Sequence, residues 1–285
     1  MKRYLLLSLS CIIVVSGGLL MLNCNSYKVG PTVVVNPLKF KKQYPFGRLT
    51  DSYQGKSDYI VVLIPNVHNS FECQAEVYKT QERLLLRTRF IAREWVGFNS
   101  DRMIGVYHWG FVGPFYFRTK PGSNTRTVLG HVEKFVKFPK EKRVAMVNRW
   151  IKNNQFPEGS TIDWPIKAPY LIEAVYQDEV KCVGVGDKET NMRAAIAVSR
   201  YQQGMISFET FANEVLEPRN KSFVKNIQNV IERENSFERI ISNYLVPFSV
   251  GLYHIPGLKK LLREDNVSYV VIQNSACVLP KRVIK

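Results

Sequence analysis

Two histidines, His68 and His254, each close an apolar run, and each leads into a segment of helical pattern. His68 ends Tyr59-Ile-Val-Val-Leu-Ile-Pro-Asn-Val-His68. His254 ends Val250-Gly-Leu-Tyr-His254 and precedes Ile-Pro256-Gly-Leu-Lys-Lys-Leu-Leu. Open α/β sheets bind ligands just past the carboxyl ends of strands, beside helix N-termini. Two histidines so placed predict one site assembled from both ends of a domain. An imidazole can serve there as general base, metal ligand or hydrogen-bond partner to an anion. At His254 the positive end of the following helix disfavours imidazolium, which favours the neutral ring. Glu72 stands four residues after His68, a spacing that sets both side chains on one helix face. It could orient the imidazole, share a metal with it or act as a base beside it. The same spacing is also common on solvated helices.

Further polar residues fall at equivalent places. Glu94 closes the next strand-like run, in Arg93-Glu94-Trp95. A buried carboxylate is costly unless it is paired or faces a cleft, so Glu94 predicts either a salt bridge or a site beside His68. Arg219 follows Glu217-Pro218 in a long helical segment and could clamp a carboxylate or phosphate, or form a surface ion pair. Asp187 ends the strand-like Lys181-Cys-Val-Gly-Val185-Gly and is a candidate for the same cleft. His108 and His131 lie in a less ordered pattern. No GxSxG elbow, Walker loop, HExxH or dinucleotide fingerprint occurs.

The elements that would position these residues follow an α/β rhythm. Asp58 to Ile64 reads as a buried parallel strand, Ser70 to Arg87 as a helix capped by Asn69 or Ser70, and Phe90 to Trp95 as a second strand. Residues 101–169 break the rhythm with the aromatic, glycine-rich run Val106 to Phe117 and a helical segment at Lys140 to Asn153, and predict an inserted helical and aromatic lid. From Tyr170 the rhythm resumes with a short helix and the strand ending near Asp187. Helices follow at Glu189 to Gln203 and Ser207 to Glu234, the second kinked or divided by Pro218. A strand from Tyr244 to Leu252, a helix from Pro256 to Arg263 and a strand from Ser268 to Ile272 close the pattern. The predicted fold is α/β, a mostly parallel central sheet flanked by helices over residues 58–285, with the insertion within it.

Composition bounds the partners. The chain has 285 residues and a net charge of +16. The basic excess is spread along the chain and matches no nucleic-acid-binding signature, so an anionic envelope surface is the preferred partner over nucleic acid, beside a merely solvated basic surface. Lys2 and Arg3 precede the apolar run Tyr4 to Leu22, then come Asn23 and Cys24. A basic start and an apolar run read as a secretory signal. A cysteine directly after it resembles a bacterial lipobox, with residues 1–23 as signal peptide and Cys24 lipidated. Leu22 and Asn23 depart from the small residues usual there, and an uncleaved anchor and ordinary secretion are the alternatives. Residues 24–57 then read as tether and lead-in. Of the five cysteines, Cys73, Cys182 and Cys277 remain beyond the lead-in. At most one disulfide can form among them, and buried free thiols are the default expectation.

Taken in order, these motifs resemble the erythromycin-esterase, ChaN and TraB-like (TIKI) superfamily, from about Ile60 to Ile272. Leu63-Ile-Pro-Asn-Val-His68-Asn-Ser-Phe-Glu72-Cys-Gln74 is similar to the family's strand ending in Gly-Glu-x-His. Ile91-Ala-Arg-Glu94 is similar to its strand ending in glutamate, and Val183-Gly-Val-Gly-Asp187 to its strand ending in an acidic residue. Glu217-Pro-Arg219-Asn220 resembles the arginine at the head of a helix. Gly251-Leu-Tyr-His254 resembles the Gly-x-x-His element. The resemblance implies a pocket with His68, Glu94 and His254 facing it and Arg219 beside it. It implies a hydrolase, esterase- or metallopeptidase-like, with His68 as base or metal ligand, Glu72 or Glu94 orienting it, and His254 as second ligand or electrophile. The family also includes a haem-binding lipoprotein, so haem or a divalent metal is the implied cofactor. Pro65-Asn66 replaces Gly-Glu, which removes one acidic residue and leaves two further readings, a non-catalytic binder of haem or another anionic ligand and a degenerate scaffold.

Overall fold

Tyr59–Asn66 is buried at every position, as a strand covered on both faces must be. It is the centre of a seven-stranded sheet in a computed structural model. The structure describes residues 40, 43–67, 70–85, 88, 90–96, 135–153, 168–176, 179–237 and 244–278. The elements in chain order are β1 (Gln43–Tyr44), β2 (Gly47–Tyr53), β3 (Tyr59–Asn66), α1 (Phe71–Leu84), β4 (Phe90–Val96), α2 (Lys140–Asn153), α3 (Ala168–Val175), β5 (Lys181–Gly186), α4 (Lys188–Gln202), α5 (Phe208–Phe211), α6 (Glu217–Phe237), β6 (Tyr244–Gly251), α7 (Ile255–Glu264) and β7 (Ser268–Asn274). The expected α/β class and mostly parallel sheet are present.

The sheet order is β1-β2-β7-β3-β6-β4-β5. Strands β7, β3, β6, β4 and β5 are parallel, and β2 joins β7 antiparallel. From β3 the chain crosses over β6 to reach β4. From β6 it crosses over β3, in the opposite direction, to reach β7. Crossovers of one hand that run in opposite directions put their helices on opposite faces. Helix α1 accordingly packs with α2 and α3 on Ile60, Val62, Ile64, Ile91 and Leu245. Helices α6 and α7 pack on Val61, Leu63, Ala92, Val246 and Phe248. Adjacent strands β3 and β6 therefore send their exits to opposite sides, which opens a crevice at their carboxyl ends.

The helices are set by local chemistry. Ser70 caps α1, its Oγ accepting from the Cys73 N–H at 3.1 Å. Phe223, Ile227, Val230 and Ile231 of α6 are buried, each side chain contributing about 1.5–3 kcal/mol. Pro218 divides the long helical segment as expected. It has no N–H and would crowd the preceding turn, and a π turn at Ala212–Leu216 lies just before it, the Glu217 N–H reaching back to Ala212 O. Helix α4, α5 and this turn form a small cluster of their own around Phe211, Val215 and Leu216. Rings of Tyr201 and Phe211 stack in it at 5.0 Å. Among the described residues no helix is long and apolar enough to cross a membrane.

Three findings go beyond the sequence reading. The lead-in contributes β1 and β2, and Gly47 to Tyr53 pairs along β7. Cys73 and Cys277 form a disulfide with Cα atoms 4.8 Å apart, which corrects the expectation of free thiols at both; Cys182 keeps a buried thiol. Of the insertion, α2 packs through Val147 on the same core as α3. Its aromatic run, with His108 and His131, lies outside the described residues, as do His68, Cys24 and the signal-like segment.

Candidate functional site at the strand ends

Along β4 successive side chains point to opposite faces, so Phe90, Ala92 and Glu94 share the α6–α7 side. Glu94 reaches the carboxyl end of the sheet, where α6 begins and β6 stops. Its Oε1 accepts from Arg219 Nη2 at 2.8 Å and its Oε2 from the Gly251 N–H at 3.0 Å. His254, three residues past Gly251, is 3% exposed, and Glu94 and Arg219 are 4% and 9% exposed. The structure thus brings Glu94, Arg219 and His254 into one buried cluster.

Residue Asn220 completes it. His254 Nδ1 lies 2.7 Å from Asn220 Oδ1, which makes Nδ1 the donor and leaves Nε2 as the nitrogen that can change state. Nε2 stands 3.4 Å from Arg219 Nη1 and 3.5 Å from Glu94 Oε1. A neutral ring faces a guanidinium that can donate to it; a protonated ring faces a carboxylate that can accept. Both protonation states therefore find an electrostatic partner. The Phe223 ring meets His254 edge-on at 5.3 Å, and Arg219 lies over the same ring at 5.3 Å. Gly257 makes room for Asn220: a Cβ there would stand 2.2 Å from Asn220 Nδ2.

A second polar group occupies the other face. Arg93, next to Glu94, points toward α3 and pairs with Glu173 at 2.9 Å. Burial pushes the Glu173 carboxyl above its ordinary value, although the Arg93 guanidinium pulls it down. Cys182 is nearby in this environment; burial and then the Glu173 charge push its thiol well up, so it is no ready nucleophile. At the end of β3, Asn66 Nδ2 donates to Ser249 Oγ at 2.7 Å. Asn66 Oδ1 is buried and, among the described residues, has no hydrogen-bond partner. Asn66 stands opposite Gly251 in the β3–β6 register, at the crevice. The Val67 loop is held from behind: Gln74 Nε2 donates to Val67 O, and the Val67 N–H meets Cys73 Sγ at 3.1 Å.

The remaining candidates are elsewhere. Glu72 lies in the first turn of α1, exposed, with the Ser70 hydroxyl 3.1 Å from its Oε2. Asp187 is the N-cap of α4, its Oδ1 accepting from the Thr190 N–H at 2.9 Å. Sequence reading passed over Asn220, Ser249, Arg93 and Glu173. The signal for Asn220 was its place beside Arg219 at a helix start. A divalent metal does not fit the described residues: no group of three His, Cys, Asp or Glu converges there, a guanidinium already occupies Glu94, and His254 Nδ1 is taken by Asn220. No protein-family model, curated protein or solved structure matches this chain.

Proposed function

We propose that the chain is an envelope-tethered hydrolase of the erythromycin-esterase, ChaN and TraB-like kind, with its site in the crevice at the ends of β3, β6 and β4. The observation that supports it is His254, firmly held at Nδ1 while Nε2 lies between a guanidinium and a carboxylate. That arrangement suits a ring that carries a proton during a reaction. Arg219 supplies a fixed positive charge for an oxygen that becomes anionic, and Glu94 holds Arg219 in place. His68 follows Val67 in the sequence and takes the part of general base, with Glu72 the residue that would orient it. The tether reading draws support from the pattern of residues 2–24 and from a disulfide, a bond that persists in oxidising compartments.

The full-length chain, screened on short p-nitrophenyl esters and a peptide pool, should turn over at least one substrate. His68→Ala and His254→Ala should each lower kcat by roughly 100-fold or more, the usual worth of a general acid or base. Unchanged turnover in both variants overturns the assignment. A second reading, a binder of haem or another anionic ligand without catalysis, is favoured by Arg219, a buried cation beside the crevice that can pair with a carboxylate. Asparagine at position 66, where the resembled family has an acid, also fits a site without catalysis. Haem added to the protein should then give a shifted Soret band that Arg219→Ala weakens; an unshifted band counts against it.

A further inference from the structure

The crevice at the strand ends has polar groups of opposite character on its two flanks. On the α6–α7 flank both Glu94 oxygens are engaged, by Arg219 and by the Gly251 N–H. The Arg219 guanidinium faces His254 Nε2 with Nη1, and its buried Nε has no hydrogen-bond partner among the described residues. This flank offers donors. On the α1–α3 flank the group is an acceptor. Alternation along β3 puts Asn66 with Ile60, Val62 and Ile64 on that side, beside Ser249 of β6. Asn66 is 5% exposed, and its Oδ1 accepts from no group among the described residues. Strand β6 joins the flanks: Gly251 lies opposite Asn66 in the register and gives its N–H to Glu94.

The surroundings of this oxygen are fixed. Asn66 Nδ2 donates to Ser249 Oγ at 2.7 Å. The next residue is held at both backbone groups. The Val67 N–H meets Cys73 Sγ at 3.1 Å, and Val67 O accepts from the Ser70 N–H and from Gln74 Nε2, each at 3.2 Å. Gln74 is buried and uses the other end of its amide on the N–H of Ala168, the first residue of α3, at 2.9 Å. A buried acceptor without a donor opposes folding, because it has lost water and gained no partner. So few such groups persist in folded proteins that each one asks for an explanation, and a ligand that supplies the missing donor is one.

An ester offers oxygens only. A trans secondary amide offers a carbonyl oxygen on one side and an N–H on the other, the pairing that the two flanks complement. We infer that the crevice selects a secondary amide, its carbonyl oxygen toward Arg219 and its N–H donating to Asn66 Oδ1, and that Asn66 sets amide over ester. The inference rests on the hydrolase reading for the reaction and on Asn66 for the choice of substrate. In that reaction the hydroxyl of water bonds the acyl carbon. The C–N bond breaks with its electron pair going to nitrogen, and the remaining proton of water ends there. The products are a carboxylic acid and an amine.

The test uses the full-length chain with the p-nitroanilide, the N-methyl-p-nitroanilide and the p-nitrophenyl ester of one acyl group, taken from acetyl to octanoyl. The N-methyl compound has no N–H. Asn66→Leu removes the acceptor, and Asn66→Asp keeps an oxygen in its place. In the wild-type chain kcat/KM for the anilide should exceed that for the N-methyl compound by roughly tenfold or more, the usual loss when a buried acceptor is left without its donor. Asn66→Leu should lower the anilide-to-ester ratio of kcat/KM by a similar factor, and Asn66→Asp should keep most of it. Should Asn66→Leu fail to fold, the wild-type substrate pair still decides, and equal turnover of anilide and N-methyl compound overturns the inference. Ester turnover without anilide turnover overturns it too and leaves the hydrolase reading standing. Turnover of neither overturns both. Equal losses for ester and anilide in Asn66→Leu also overturn it, since Asn66 would then present Nδ2, a donor that serves either substrate.

Discussion

Arg93 and Glu94 are neighbours on one strand, point to opposite faces of the sheet, and meet opposite fates. Each finds an oppositely charged partner on a helix: Glu173 of α3 for Arg93, Arg219 of α6 for Glu94. On the α6–α7 face both oxygens of the glutamate accept a hydrogen bond, one from a backbone N–H. On the α1–α3 face the glutamate has the Arg93 guanidinium, and burial still raises its carboxyl above the ordinary value. Buried ion pairs hold their charge only when desolvation is matched by geometry and further hydrogen bonds. The Gly251 N–H gives Glu94 a hydrogen bond beside its guanidinium partner, of the kind that offsets desolvation, whereas burial opposes the charge of Glu173.

Removing charge should hurt the two faces unequally. Glu94→Gln should cost about 3–5 kcal/mol in urea unfolding, the range for breaking a buried pair and leaving its partner charged. Glu173→Gln should cost less, because glutamine resembles the protonated acid that burial already favours. The sign with pH comes from the raised folded value of Glu173. Its contribution is fully present below the unfolded value near 4.5 and is lost as pH rises through the folded value. The cost of Glu173→Gln should therefore shrink from acid to neutral pH. A cost that grows with pH, or one matching Glu94→Gln, would erase the distinction between the faces.

The α1–α3 face has a covalent fastening that the other lacks. Cys73–Cys277 closes a loop of 204 residues between the start of α1 and the end of β7. Replacing both cysteines by serine should lower stability by about 2–5 kcal/mol, mostly through the unfolded chain. The same variant should leave the Arg219–Glu94 geometry in place, read as unchanged ligand binding or turnover at a temperature where the protein is folded. If activity falls while the fold persists, the disulfide also positions the Val67 loop, and the two faces are coupled.

Much of this was legible because strand ends are. A continuous apolar run such as Tyr59 to Ile64 must be buried on both faces, and the residues just past it must lie near the carboxyl edge. That logic put Glu94 and His254 at one edge from positions far apart in the chain, while Arg219, at the start of a helix, was set beside them only by the resemblance. It was blind where the signal is local or absent. β2 alternates between exposed and half-buried residues and so reads as polar lead-in, although β7 pairs with it along its length. Arg93 sits inside a strand where a charge usually marks the strand's end; only the neighbouring helix, with Glu173, explains it. The cysteine pairing spans nearly the whole domain, and no spacing rule reaches that far. Asp187 follows a strand end as Glu94 does and does different work, because a carboxylate at a helix start is as readily a cap as a ligand.

On the α6–α7 face a smaller perturbation isolates His254 from its orienter. Gly257→Ala places a methyl where Asn220 Nδ2 now lies, and the amide must move. Overpacking of this kind costs about 1–3 kcal/mol. If Asn220 fixes the tautomer of His254, the variant should lower kcat more than it changes KM, and Asn220→Ala added to it should cause little further loss. Additive losses would show that Asn220 acts independently of the ring, and that the cluster is packing with charge rather than a positioned histidine.

The smallest effect separates two acidic residues on neighbouring strands. Glu94 lies within β4, while Asp187 directly follows β5, where it caps α4 through the Thr190 N–H. Loss of such a cap costs about 1 kcal/mol, and serine restores most of it. Asp187→Ala should therefore lower the unfolding midpoint slightly, Asp187→Ser should recover it, and neither should alter binding or turnover. The serine is the decisive variant: it keeps the capping oxygen and removes the charge. Activity lost in Asp187→Ser with the midpoint restored would mean that the site needs the negative charge at β5, and that the cluster around Glu94 extends one strand further than its hydrogen bonds show.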